Sequence, residues 1–265
     1  AGHIPVAVDS TFATPVLQQP LRHGAAYALH SATKFIGGHG DALGGVITTA
    51  DPEGAAALRR IRVATGAVLH PLAGYLFARG IQTLGVRLRL QQENARSLVD
   101  RLSKHPDVAQ VLHPGHGETG DRDVFERQMS GPGAVFGVRL TGGVQAADRF
   151  IEALQLITPA VSLGSVDTLI QRPAALTHHV LGVEGRREAH VPEDLIRVSV
   201  GLEGVTDLWR DMEQALEVAR GGSDHGQESR YAAEQPGAAA GSDQTASSSE
   251  RRPWGAASRL PAAVR

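Results

Sequence analysis

Hydrophobic positions alternate between two spacings along the chain, and each spacing predicts a different element. Short unbroken apolar runs at Ile4 to Val8, Ala26 to His30, Gly45 to Thr49, Ala134 to Leu140 and Ile196 to Val200 read as strands, the first of them buried. Helical spacing predicts helices after Asp51, from Leu72 through Leu84, from about Gly85 to Ser103, and from Thr206 to about Arg220. In the third of these, Leu88, Ala95, Leu98, Val99 and Leu102 fall on one face; in the last, Leu208, Met212, Ala215 and Leu216 do. Strands interleaved with helices argue for an α/β fold. A polar-faced helix before Pro106 is a natural bridge. Domains are therefore expected at 1–88 and at 89–220, the latter a linker helix with a smaller α/β domain. Residues 221–265 hold 26 Gly, Ala, Ser or Pro among 45, with five acidic and five basic residues and no sustained apolar period. Such a stretch cannot offset its ordering entropy, so a disordered tail without assigned function is expected.

At 265 residues, 42% of them apolar, the chain can build a substantial core. The balance of 26 basic and 28 acidic residues creates no global field for nucleic acid or an anionic membrane. The absence of cysteine removes disulfides, thiolate metal sites and a cysteine nucleophile, and suits a reducing, cytoplasmic setting. Twelve histidines include His113 and His116 around a Pro-Gly turn and the pair His178 and His179. Without an HExxH pattern or regularly spaced carboxylates, no metal site is expected. No G-x-S-x-G elbow supports a serine hydrolase.

Chemistry gathers near the N-terminus. One apolar strand runs into Val8-Asp9-Ser10-Thr11, and a second runs into His30-Ser31-Ala32-Thr33-Lys34. The carboxyl ends of parallel strands meet at one edge of a sheet, so Asp9 and Lys34 are expected to face one pocket. Two hydroxyls beside a lysine, followed by Gly37-Gly38-His39-Gly40, offer an anchor for a phosphate.

The run VDSTFATPVLQQPLRHGAAYALHSATKFIGGHGDALGG resembles the Cys/Met-metabolism enzymes that use pyridoxal 5′-phosphate, the group of cystathionine γ-synthase, cystathionine γ-lyase and methionine γ-lyase. Resemblance resumes in AVSLGSVDTLIQRPAALTHH and DLIRVSVGLEGVTDLWRDMEQAL, and so extends over about residues 1–219. It implies the aspartate-aminotransferase-like fold of these enzymes, with part of the large domain missing and a smaller C-terminal α/β domain. Lys34 is implied as the lysine holding the cofactor as an internal aldimine and moving protons on the substrate. Asp9 is implied as the partner of the pyridinium nitrogen, with Ser31 and Thr33 on the cofactor phosphate. Ser162 and Arg197 are implied to bind the substrate α-carboxylate, with Thr177 steadying the arginine.

The same resemblance implies a homo-oligomer, a dimer of dimers, acting on a sulfur-containing amino acid. About half of the large domain, with the aromatic residue that stacks on the cofactor, has no counterpart here, and a truncated chain of poor activity is expected. Chemistry at Cγ then divides. Elimination gives a lyase acting on cystathionine or methionine; replacement gives a γ-synthase or sulfhydrylase. Gly38 to Asp41 and Thr65 to Leu69 lean towards the γ-lyases. A non-catalytic fragment acting only as an interaction partner is the alternative of a different class.

Overall fold

The computed structural model describes residues 4–117 and 122–221. Strand β1 (Ala7–Asp9) leads through a short helix, α1 (Thr14–Leu17), to β2 (Tyr27–Ser31), which pairs with it in parallel. A single π-helical turn, Ala32–Ile36, carries the chain off the end of β2, broken by non-helical angles at Lys34. Strand β3 (Gly45–Thr48) then pairs antiparallel to β2, completing a three-stranded sheet in the order β1-β2-β3.

Helix α2 (Pro52–Thr65) shows why its sequence signals were legible. Both Asp51 carboxylate oxygens accept backbone N–H groups, from Glu53 at 3.1 Å and Gly54 at 2.8 Å, Pro52 opens the first turn, and Gly66 closes the last at φ 70°. Helix α3 (Pro71–Ile81) follows, capped by His70, and then α4 (Leu84–Leu102).

The rest of the chain builds a second sheet from β4 (Val108–Leu112), helix α5 (Arg122–Gln128), β5 (Val135–Leu140), helix α6 (Gly143–Ala153), β6 (Thr158–Pro159), β7 (Leu169–Gln171), helix α7 (Gly182–Glu188), β8 (Ile196–Ser199) and helix α8 (Val205–Gly221). Its order is β4-β5-β8-β7-β6, antiparallel except for β6 and β7. Alternation decides its faces: Phe136, Val138 and Leu140 point from β5 into a core shared with α4, α6 and α8, while their neighbours point away. A smaller core around Phe35, Phe77, Leu84 and Leu88 joins the π-helical turn to α3 and α4, and Leu163 and Ala134 reach into it from the second half of the chain. Helix α4 therefore borders both cores.

The expected strand at Ile4 to Val8 is corrected on two counts. Pairing begins only at Ala7, and Ile4 and Val6 are 85% and 56% exposed rather than buried. Both residues precede β1, and no described element packs over their side chains; β1 itself is the edge strand, hydrogen-bonded to β2 alone. Three strands and several helices were not anticipated. Strand β7 is three residues long and buried throughout, so it has no alternation to read. Helix α6 did carry a helical stripe, Ala146, Ala147, Phe150 and Ile151, behind two glycines that suggested only a turn. The expected tail lies outside the described residues, apart from Gly221 at the end of α8.

One carboxylate fixes the approach to β6. Asp211, 6% exposed on α8, accepts three consecutive backbone N–H groups, from Gln155 at 2.8 Å, Leu156 at 2.9 Å and Ile157 at 2.8 Å. Removing it leaves three donors without their acceptor, the Ile157 N–H among them buried, where a stranded donor costs about 1–3 kcal/mol. Asp211→Ala is expected to lower the stability of the chain by about 3 kcal/mol or more, read from the midpoint of urea unfolding.

Candidate active site

Because β1 and β2 run parallel and are neighbours, their carboxyl ends emerge side by side, and the residues that follow each are brought into contact. The Ser31 N–H donates to Thr11 Oγ1 at 2.8 Å, and the Thr11 N–H donates to Asp9 Oδ1 at 2.9 Å. Thr11, to which the sequence assigned no role, thus ties one strand end to the other. The Thr11 hydroxyl first and its N–H second hold the Asp9 carboxyl below the usual carboxylate range, outweighing the opposing effect of burial, with His30 a lesser contributor in the same direction. Asp9 is therefore an anion over the neutral range.

Asp9, Ser31 and Lys34 line one cleft of about 580 Å³, closed on its other side by Pro114, Met129, Pro132, Gly133 and Ala134. The sequence placed Asp9 and Lys34 in one pocket, and they are there. Ser31 brings a hydroxyl that makes no hydrogen bond among the described residues. Thr33 is turned elsewhere. Its Oγ1 accepts from the Gly44 N–H at 3.0 Å and donates to the Gly44 carbonyl at 3.3 Å, so it braces the loop ahead of β3. Reaching an anion in the cleft requires its proton to leave the Gly44 carbonyl.

Lys34 Nζ donates to Ser162 Oγ at 3.0 Å across 128 residues of sequence. Burial first, and the Arg197 cation second, push the Lys34 amine below the ordinary lysine value of 10.5. A lowered midpoint enlarges the neutral, nucleophilic fraction near neutral pH. Arg197 sits on β8 with Ser199, two residues apart and so on one face of the strand. From there Ser199 Oγ accepts the Gly164 N–H at 2.8 Å, while Arg197 donates to the Val161 carbonyl at 3.2 Å and the Ser162 carbonyl at 2.8 Å. One strand thus shapes the whole Ser162 loop.

On its other side Arg197 meets Gln171 of β7. With the amide oxygen turned towards the guanidinium, Gln171 accepts from both Nη atoms, at 2.9 and 2.8 Å. The Gln171 amide also lies 3.4 Å from Thr177 Oγ1, which is 2.9 Å from His178 Nδ1. Thr177 therefore reaches the arginine by way of Gln171, a residue the sequence did not single out. Nothing in a three-residue buried strand marks it beforehand.

His39 and His113, two of the histidines that the sequence raised, face backbone carbonyls. His39 Nδ1 lies 2.7 Å from the Gly37 carbonyl, and His113 and His116 bridge across their Pro-Gly turn, with His113 Nε2 3.4 Å from the Gly133 carbonyl. A cleft that presents an anionic carboxylate, a depressed lysine amine and an unengaged hydroxyl suits a ligand with a cationic group, a carbonyl open to an amine and a hydrogen-bond acceptor.

Comparison with known proteins bears on the same residues. The model of the family described as Cys/Met metabolism PLP-dependent enzyme matches residues 1–217. The chain belongs to this family. It is 51% identical over 221 residues to an L-methionine gamma-lyase of Brevibacterium sandarakinum, covering 83% of this chain and 55% of that protein. It is 42% identical over 211 residues to a cystathionine gamma-synthase of Mycobacterium bovis, covering 80% and 54%. A solved cystathionine gamma synthase from Xanthomonas oryzae pv. oryzae, in complex with aminoacrylate and cysteine, superposes with a TM-score of 0.80 at 38% identity, covering 82% of this chain and 56% of that one. The fold is thus that of the pyridoxal-phosphate enzymes of this family. The chain spans about 55% of the length of the curated relatives it matches.

The depressed Lys34 amine has a consequence for stability. Folding weakens its hold on the proton, so the unfolded chain binds that proton more tightly. The folded state bears the full penalty where both states are protonated, and the penalty fades as pH rises through the folded midpoint to the ordinary value of 10.5. The stability difference between Lys34→Met and the parent is therefore expected to favour the variant most near neutral pH and to shift towards the parent as pH rises. Urea midpoints measured at several pH values check the slope.

Proposed function

We propose that this chain carries the lysine-bearing half of a pyridoxal 5′-phosphate site that cleaves a C–S bond in a sulfur amino acid by γ-elimination. The observation that carries the reading is the shared cleft, in which Lys34 Nζ and the Asp9 carboxylate face one space while Lys34 also touches Ser162. Asp9, kept anionic by Thr11, holds a protonated pyridine nitrogen by charge. Ser31 donates its hydroxyl to the phosphate, with Thr33 joining when its proton turns from Gly44. When bound, the cofactor supplies the electron sink that stabilises charge on the substrate α-carbon.

The chain's own groups do the rest. Lys34 Nζ takes the α-proton and then moves protons at the neighbouring carbons, a task its lowered midpoint favours. Arg197 binds the substrate α-carboxylate, oriented by Gln171 on one side and the Val161 and Ser162 carbonyls on the other. Ser162 contributes a second polar contact there, and Thr177 steadies the arginine through Gln171. A fixed carboxylate determines which bond at the α-carbon faces Lys34.

The 51% identity to an L-methionine gamma-lyase supports elimination on methionine or cystathionine, while the 42% identity to a cystathionine gamma-synthase supports γ-replacement as the second reading. Residues 1–88 are proposed to belong to the cofactor-binding domain, and 89–220 to be its linker helix and smaller partner domain. A cytoplasmic homo-oligomer is proposed as the working form. Its support is the apolar surface of β3 and α2, where Val46, Ile47, Ile61 and Val63 are 40–72% exposed. Among the described residues no helix is long and apolar enough to cross a membrane.

The sequence contains only two lysines, Lys34 and Lys104, and Lys104 is an exposed partner of Asp100 on α4. Incubation with pyridoxal 5′-phosphate, reduction with borohydride and peptide mass analysis are expected to place the added mass on Lys34. Equal labelling of both lysines, or labelling of Lys104 alone, overturns the reading. Arg197→Gln is expected to lower kcat/KM for the amino-acid substrate by about 10²- to 10³-fold, as loss of a bidentate charged contact does. Release of 2-oxo acid and thiol, against formation of a new thioether, separates elimination from replacement.

A further inference from the structure

Arg87 is an arginine on the buried face of an amphipathic helix. It lies next to Leu88 on α4 and is 5% exposed. Among the described residues no carboxylate pairs with its charge. Its guanidinium is instead filled by main-chain oxygens: Nη1 donates to the Phe35 carbonyl at 3.0 Å, and Nη2 to the Ile36 carbonyl at 3.3 Å and the Gly80 carbonyl at 2.9 Å. Nε donates to Thr83 Oγ1 at 3.0 Å, which sets the plane of the fork. Two of these three carbonyls belong to the turn that carries Lys34, immediately after it.

A buried guanidinium is costly to desolvate and is retained only where its donors are satisfied. Here two of those donors satisfy the Phe35 and Ile36 carbonyls, which lie at the end of the π-helical turn where no further helical turn supplies N–H partners, so charge and turn stabilise each other. The packing leaves little freedom around them. A Cβ on Gly38 would overlap the Arg87 guanidinium, and a Cβ on Gly80 would lie 2.5 Å from the Gly37 carbonyl oxygen.

One turn further along the same face, Gln91 is fully buried and its Nε2 donates to the Ser165 carbonyl at 2.8 Å and the Val200 carbonyl at 3.0 Å. Asn94, at the next position of the stripe, donates to the Gly201 and Glu203 carbonyls at 3.3 and 3.0 Å. Arg87 thus holds the turn of Lys34, while Gln91 holds the loop of Ser162 and the strand end beyond Arg197. Residues 87, 91 and 94 follow the i, i+4, i+7 spacing of one helix face. The two held segments also meet directly, through the Val166 N–H on the Gly38 carbonyl at 2.8 Å and through Gly164, where a Cβ would lie 2.6 Å from the Phe35 nitrogen.

We propose that Arg87 and Gln91 are positioning residues that set the Lys34–Ser162 contact, helix α4 serving as the rigid template that holds both of its ends. Arg87 acts through backbone carbonyls and touches no reacting atom. The forked guanidinium matters as well as its charge, because a lysine ammonium at position 87 cannot span three diverging carbonyls. The functional meaning of the proposal rests on Lys34 as the cofactor lysine; its test does not.

The test reads the Lys34 amine itself, in the 265-residue chain, without cofactor and without an activity assay. Competitive acetylation across a pH series, with peptide mass analysis, gives the titration midpoint of Lys34, and Lys104 on the same molecule serves as the internal reference. Arg87→Lys, Thr83→Val and Gln91→Leu are compared with Leu98→Ala, a core cavity in α4 with no bond to either held segment. In the folded positioning variants, Lys34 is expected to leave Ser162 for solvent and its midpoint to rise, changing its neutral fraction near pH 8 by about threefold or more. Leu98→Ala is expected to lower the unfolding midpoint and leave the Lys34 profile where it was. If Arg87→Lys does not fold, Thr83→Val, which leaves the guanidinium in place but frees its plane, decides. An unchanged Lys34 profile in the folded variants overturns the proposal, as does an equal shift in Leu98→Ala. Failure of borohydride to fix the cofactor on Lys34 of the parent chain overturns the proposed function and leaves this measurement standing.

Discussion

The contact between Lys34 Nζ and Ser162 Oγ joins the two halves of the molecule at the place where chemistry is expected. It is a single hydrogen bond of 3.0 Å, and its own net contribution is modest, about 1 kcal/mol. Its importance lies in what must already be in place for it to form. The turn after β2 must leave the strand at the right angle, the loop at 161–166 must fold over it, and β8 must present Arg197 and Ser199 to that loop. Each requirement is met by a polar side chain donating to or accepting from backbone, which is directional in a way that apolar packing is not.

Charge is arranged around the contact with opposite purposes on its two sides. Thr11 and His30 favour the ionised form of Asp9, so that the carboxylate remains an anion in the cleft. Burial and Arg197 disfavour the ionised form of Lys34, so that its amine gives up a proton more readily. A cleft with a committed anion at one point and a reluctant cation at another is suited to hold a cationic ring and to exchange protons beside it. The separation arises from local environment, since the two groups share one space of about 580 Å³.

The second sheet supports this arrangement through buried polar groups that anchor backbone. Asp211 gathers three N–H groups ahead of β6, and Glu203 accepts from the Thr168 N–H at 2.6 Å and the Thr168 hydroxyl at 2.8 Å. Arg172, next to Gln171, forks onto Asp148 at 2.8 and 3.2 Å with both side chains less than a tenth exposed. These groups fix where β7 and β8 end, and hence where Gln171 and Arg197 point. Rigidity at the site is therefore inherited from a sheet whose core lies on its far side, against α6 and α8.

Local pattern was enough to reveal much of this protein. The apolar run that becomes β5, the helix that opens after Asp51, the apolar stripes of α4 and α8, and the juxtaposition of Asp9 with Lys34 are all consequences of short-range spacing, and a chain read residue by residue contains them. Whether a strand is buried depends on neighbours supplied from elsewhere, and Ile4 and Val6 lead into an edge strand, which no spacing rule could detect. Thr11, Gln171 and Arg87 were silent for a related reason. Thr11 matters because a parallel partner strand places Ser31 beside it, Gln171 because β7 lies against β8, and Arg87 because a turn some fifty residues away offers it carbonyls. Thr33 shows the converse, a hydroxyl that motif context assigns to the cofactor and that tertiary structure engages at Gly44. Sequence determines which groups can donate, accept or titrate; only the folded chain decides which of them meet, because hydrogen bonds and burial act over a few ångströms in space regardless of distance along the backbone.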